Sequence, residues 1–269
     1  MIYPNRQLGE EREMVEGLQM GTIDITSVST GPLGGFVPEI GVVDLPFLFK
    51  NNIHAYGVLD GPIGEELLDK FSEKGIYGAA FWENGWRHLT ANKAINKPED
   101  LEGLKIRTME NKVHMNAFKE MGASPIPMVW GEVYTSLNQG VIDAQENPIT
   151  VIYTNNLFEV QGYTMETGHL YSPHVVLVSQ VSLNKLPEDL RKILINTIKE
   201  VTVYQRSKSI EIEVSQKKLL EEKGMKVLTV DKAPFQQAVE PVYKKYADKF
   251  GEELINRIVT AGGKKAIDF

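Results

Sequence analysis

Cysteine is absent from all 269 residues, which excludes disulfides and thiolate sites and leaves the redox compartment open. No run approaches the ~20 apolar residues of a membrane-spanning helix. Basic residues are the minority, 29 Lys+Arg against 36 Asp+Glu for a net charge of −7. That balance lacks the basic footprint of a nucleic-acid binder and disfavours docking on anionic lipid. Motifs of common enzyme chemistry are missing too. There is no G-x-x-x-x-G-K-[ST] loop, no G-x-S-x-G elbow and no H-E-x-x-H pair. Gly31-Pro32-Leu33-Gly34-Gly35 is only superficially a dinucleotide loop. The histidines (His54, His88, His114, His169, His174) are scattered, so neither a metal nor a cofactor is expected. Internal repeats and low-complexity tracts are absent.

What remains is an ordinary globular composition, 42% hydrophobic and 24% charged. A chain of this length buries roughly 70–75% of its unfolded surface. Ile2-Tyr3-Pro4-Asn5 reads as the end of a strand running into a turn. This is an odd beginning, and it leads us to expect an upstream segment. The basic and apolar regions of a signal peptide are not seen in these first residues. Residues 9–20 suit an acidic-started helix stopped by Gly21. Residues 23–26 alternate like a strand, followed by a polar loop over 27–32. Residues 42–49 are an apolar run broken by Pro46, a buried strand or loop. Residues 53–74 look helical with a break near Gly61-Pro62. Tyr77–Trp82 reads as a strand, Glu83–Arg87 as a turn and His88–Thr90 as a second strand. Leu104–Arg107 is a strand and 112–121 a helix. Two prolines fix 123–127 as extended. A helix follows Trp130, and VVLVS marks another strand within 171–183.

From Pro187 to Gly224 there is neither Gly nor Pro, and Leu190, Leu194, Ile198, Val201, Ile212 and Leu219 recur at helical steps or small multiples of them. One helix of about 36 residues would be about 54 Å long, long enough to span two lobes. The alternative is two helices with a kink near Tyr204-Gln205. The tail reads as a strand (226–230) and helices (234–249, 252–262). Strands and helices alternate throughout, an α/β pattern with largely parallel sheets.

Two arginines stand on or beside predicted strands, Arg87 and Arg107. Arginine at a strand end of an α/β sheet faces the ligand crevice, and its planar fork suits a carboxylate. Asn147 precedes Pro148, so its backbone is extended, and its amide offers both donor and acceptor. Trp130 could supply an apolar wall. By residue type alone, a salt bridge for each arginine, a turn role for Asn147 and a core role for Trp130 are the favoured readings.

Several segments taken together resemble the substrate-binding proteins of tripartite ATP-independent periplasmic (TRAP) transporters, the DctP-like family. They are YPNRQLGEERE…GLQMGTIDIT, VVDLPFLF, AFWENGWRHLT, KPEDLEGLKIR, GASPIPMVWGEVYTSLNQGVIDAQENP and the helix after LPEDLRK. They run in family order over essentially the whole chain, and the run from Pro98 to Pro148 is highly specific. The resemblance implies a two-lobed, type II-like periplasmic-binding-protein fold with the long helix (about 188–223) shared by both lobes. Lobe I would be 1–84 and 173–212, lacking its first strand and helix. Lobe II would be 85–172 and 213–269. It implies that Arg107 grips a ligand carboxylate, that Arg87 reinforces it and that Asn147 orients it. Trp130, Ser29 and His174 match further pocket positions. The implied function is extracytoplasmic capture of an organic acid, a sugar acid or C4-dicarboxylate, without catalysis, for the small and large TRAP membrane subunits. Location would be periplasmic, and a monomer is expected. A sensor module for the same acids, or an enzyme acting on a carboxylate, are the alternatives.

Overall fold

In this computed structural model, which describes residues 1–269, one seven-stranded sheet runs through a two-lobed α/β architecture. The strands are β1 (Ile25–Ser29), β2 (Ile76–Ala91), β3 (Lys105–Thr108), β4 (Ser124–Pro127), β5 (Ala144–Asn147), β6 (Tyr163–Ser179) and β7 (Lys226–Leu228). Their spatial order is β1-β6-β2-β5-β3-β4, with β7 also on β6. β2 and β6 are the long members, at 16 and 17 residues. They pair antiparallel from Ile76 opposite Ser179 to Ala91 opposite Tyr163, so both cross the whole molecule. β1 pairs antiparallel with the far half of β6, and β5 antiparallel with the far half of β2. The parallel pairs are β3 with β4, β3 with β5 and β6 with β7. The largely parallel sheet expected from alternation is therefore corrected to a mixed one. Helices 112–120 and 133–138 do serve as crossovers between parallel strands, as such connections must. The two crossing strands run in opposite directions and impose antiparallel pairing on their neighbours.

The turn expected at Glu83–Arg87 is also corrected, because β2 continues through it. Register shifts between Gly78 and Ala80, Glu83 and Gly85, and Arg87 and Leu89 bend the strand instead. Gly85 permits this with φ +122, and an added Cβ would meet Pro148 at 3.2 Å. Residues 1–4 hold no regular structure, so the strand end read at Ile2–Asn5 is not found. The polar loop read at 27–32 is instead the end of β1 and a short helix, Thr30–Leu33. The expected tail helix 234–249 divides at Val239 into Ala233–Ala238 and Glu240–Phe250, where Pro241 lacks the N–H to continue the ladder.

The long helix is a single unbroken element, Glu188–Glu222. Pro187 and the acidic pair Glu188-Asp189 start it, and Gly224, at φ +91, ends it. At ~52 Å it matches the ~50 Å reach of β2. Its buried face keeps only part of the apolar series. Leu190, Val201 and Ile212 are exposed, while Ile198, Thr202 and Arg206 are buried. That stripe crosses β2 where the strand bends, so it satisfies polar groups. Trp82 Nε1 donates to Thr202 at 3.0 Å, Gln205 bonds both backbone groups of Glu83 at 2.8 Å, and Arg206 donates to the Phe81 carbonyl at 2.6 Å.

One large core joins Leu18, Val28 and Leu33 beside β1 to Ile106, Val113 and Phe118 beside β3. A smaller one, with Val133, Ile152 and Leu220, lies under the β5 side.

Candidate binding site

Arg107 is the third residue of β3 and Asn147 the last of β5. These strands run parallel, with Ile106 opposite Ala144, so both side chains reach the same carboxyl edge, where open α/β sheets hold ligands. Arg87 lies on β2, one residue before His88, which is paired with Asn147. Trp130 opens the turn that follows β4. From the other side, Ser29 ends β1 directly opposite His174 of β6.

Arg107 is buried at 3% exposure. Its Nε and Nη2 both donate to the Met128 carbonyl, at 2.9 and 2.7 Å, and its guanidinium lies 5.4 Å from the Trp130 ring centroid. The side-on fork is thus occupied. What remains is the end-on edge, Nη1 with the second N–H of Nη2, and Nη1 has no protein partner. Burial and the nearby Arg87 charge pull its pKa down to about 10, against the pull of Glu146, Glu11 and Glu10. It is still a cation at neutral pH. Trp130 stacks on this cation and donates to Asn155 Oδ1 at 3.2 Å, so it is less an open apolar wall than a plate that fixes the arginine.

Arg87 is committed elsewhere. Its Nε donates to Glu146 Oε2, and Nη2 bonds Glu146 Oε1 at 2.8 Å and the Glu146 carbonyl at 2.6 Å. Both side chains are 1% exposed. His169 Nε2 stands 3.2 Å from the same carboxylate. Burial alone would raise Glu146, but Arg87 and His169 hold it well below the usual carboxylate range. Of the two open readings of Arg87, the salt bridge is real. A ligand would find only Nη1, which has no protein partner and is not fully enclosed. Asn147 donates to Gln145 Oε1 at 2.6 Å, which leaves its carbonyl oxygen as the free end. Burial lowers the pKa of His174, with Glu11 and Arg87 acting on it in opposite senses. Its neutral ring has Nδ1 3.5 Å from Ser27 Oγ.

Residue pattern did not single out Glu10, Glu11 or Glu146. Glu10 and Glu11 start the helix Glu11–Met20, and Glu11 Oε1 accepts the Ser29 N–H at 2.7 Å. The doubled acid after Gly9 was the visible signal, but it reads equally as a helix start. A small open recess is lined by Glu10 and Glu11 together with Arg107, Met128 and Trp130. Arg87, Asn147, Ser29 and His174 lie outside its walls.

A profile of the bacterial extracellular solute-binding proteins of family 7 (DctP) matches residues 1–249. A solute-binding protein of Verminephrobacter eiseniae is 42% identical, over 96% of this chain and 78% of its own. The crystal structure of a TRAP periplasmic solute binding protein from Polaromonas sp. JS666, bound to D-erythronate, is similar with a TM-score of 0.93 at 45% identity. The match covers 96% of this chain and 86% of that one. One from Bordetella bronchispeptica, with density attributed to pantoate, has the same TM-score, identity and coverage.

Proposed function

We propose that this chain, which belongs to the bacterial extracellular solute-binding proteins of family 7, captures a small hydroxylated monocarboxylic acid in its cleft and delivers it to TRAP membrane subunits from the periplasm. No helix is long and apolar enough to cross a membrane. The lobes are residues 1–84 with 173–212 and 85–172 with 213–269, hinged where β2, β6 and the long helix cross. Relatives that hold D-erythronate and pantoate support the ligand class.

The observation that carries the reading is that Arg107 and Glu11 line one recess, with the Glu11 charge acting on Arg107. The ligand carboxylate takes the end-on edge of Arg107, with Arg87 Nη1 behind it. Closure excludes water and strengthens these charge-assisted bonds. Glu11 then faces the rest of the ligand. A second ligand carboxylate there would meet a like charge, while a hydroxyl could donate to it. His174, Ser29 and the Asn147 carbonyl, outside the walls of that recess, are assigned to ligand hydroxyls farther along the cleft. This favours a sugar acid over a C4-dicarboxylate. The solute-binding relatives support binding rather than turnover.

Titration calorimetry with D-erythronate, D-glucuronate and succinate tests the proposal. At least one hydroxy acid should bind at least about tenfold more tightly than succinate, the ratio for ~1.4 kcal/mol. Glu11→Gln should narrow that gap by admitting succinate. Succinate binding more tightly than every hydroxy acid would overturn the ligand class. Co-purification with a histidine kinase receptor instead of TRAP membrane subunits would favour the sensor reading.

A further inference from the structure

β1 and β3 are separated in the sheet by β6, β2 and β5, a span of ~19 Å at strand spacing. Yet the segments that follow them meet. Asn111, four residues beyond Arg107, donates from Nδ2 to Asp44 Oδ2 at 2.8 Å and to the Gly31 carbonyl at 3.0 Å. Thr30 donates to Asp44 Oδ1 at 2.6 Å. Thr30, Asp44 and Asn111 are all buried, at 0%, 1% and 6% exposure. His114 Nε2 stands 3.5 Å from Asp44 Oδ1. The Met109 side chain packs on Gly31 so closely that a Cβ there would sit 2.7 Å from Met109 Cε.

Asp44 has no lysine or arginine partner, so its carboxylate depends on these hydroxyl and amide donors. Buried carboxylates without donors are costly. Separating the two sides would trade the Asn111 donor for water, and joining them restores it. The cluster also sits on the same chain segment as the ligand-gripping arginine, with only Thr108, Met109 and Glu110 between.

We propose that Thr30, Asp44 and Asn111 form a clasp that makes and breaks as the lobes close and open, and that the clasp sets how long the bound acid is retained. The proposal rests on the cleft-closing reading above. Asn111 has a second duty, because its Oδ1 caps helix Lys112–Glu120 by accepting from Val113 and His114 at 2.8 and 3.0 Å. Asn111→Ser keeps a capping oxygen and deletes only the clasping amide. Gly31→Ala disturbs the same seam from the other side without touching Asp44.

The chain has no cysteine, so Met20→Cys and Val141→Cys, both at exposed positions and one in each proposed lobe, give two clean spin-label sites. The experiment measures the label–label distance distribution without ligand and with D-erythronate, together with its dissociation rate by stopped flow. Asn111→Ser should enlarge the long-distance population and speed dissociation about tenfold, as expected for losing a hydrogen bond to a charged group, and Gly31→Ala, which forces Met109 to shift, should move both in the same direction. An unchanged distribution and dissociation rate in both variants, with a lowered Tm in Asn111→Ser, would make the cluster a fixed structural contact and overturn the clasp. If wild type binds no acid, the ligand reading fails, and the distance distribution by itself still decides the clasp.

Discussion

Removing the Arg107 side chain should abolish tight binding while leaving the empty protein close to its original stability. The two effects come from the same burial. Without ligand, the guanidinium is almost fully enclosed, beside another arginine, with two of its nitrogens on a single carbonyl. At about 1.4 kcal/mol per pH unit, the fall of its pKa to about 10 sets roughly 3 kcal/mol against its charged form in the fold. A cation lowered in this way costs stability at all pH below about 10, and the cost is relieved only at more alkaline pH. A ligand carboxylate on the end-on edge supplies two charge-assisted bonds, each worth about 1.5–3 kcal/mol. Arg107→Ala forfeits both, about 3–6 kcal/mol, and leaves the ligand charge facing Glu11. The expected loss of affinity is therefore at least about 100-fold. Against it, the Met128 carbonyl loses its donors, a cost of about 1–3 kcal/mol that largely cancels the relief. Calorimetry gives the affinity, and a thermal melt of the ligand-free variant gives the stability. A loss under about threefold, little more than 0.6 kcal/mol, would remove Arg107 from the site. A ligand-free Tm lowered by more than about 10 °C would refute the strain argument, since 2–4 °C corresponds to about 1 kcal/mol in a chain near this size.

Two further predictions concern acids, one buried and one half-buried. Glu146→Gln breaks the enclosed pair with Arg87, and chemical denaturation should report a loss of about 3–5 kcal/mol. Because the native Glu146 pKa is lowered, its contribution is full above the ordinary carboxyl range and fades as pH falls. Wild type should thus lose stability more steeply than Glu146→Gln in acid, and parallel acid curves would contradict the assignment. Glu213 behaves oppositely. Burial, with Glu83 and Glu166 nearby and Lys217 opposing them, raises its pKa to about 7. Its native form favours the proton, so its charge costs stability progressively as pH rises from about 4.5 to 7 and fully above that. Glu213→Gln should raise Tm at pH 8 and change it little at pH 4.5, and an equal shift at both would refute the titration.

Local pattern determined much of this molecule. The gap in Gly and Pro between 187 and 224 predicted one long helix, and Glu188–Glu222 is unbroken, because helix propensity and the absence of breakers are properties of neighbours in sequence. The extended segment at Pro125 and Pro127, the arginine ending Leu104-Lys105-Ile106-Arg107 and the amide before Pro148 were legible for the same reason. The resemblance carried by Pro98–Pro148 identified the family, and with it the two-lobed fold.

Tertiary structure decided the rest. Whether Glu83–Arg87 turns or runs on depended on β6, whose partners across the sheet are some 90 residues away. Which face of the long helix is buried depended on the polar backbone of a bent strand, so Thr202 and Arg206 went inside where Leu190 and Ile212 had looked the better candidates. At the site, residue type suggested that Arg87 and Arg107 were alike. Folding made one the partner of Glu146 and gave the other a carbonyl, a tryptophan plate and a free edge. A sequence states which charges exist, but their pairing is fixed by distances between strands far apart in the chain. Coulomb and hydrogen-bond energies depend on those distances.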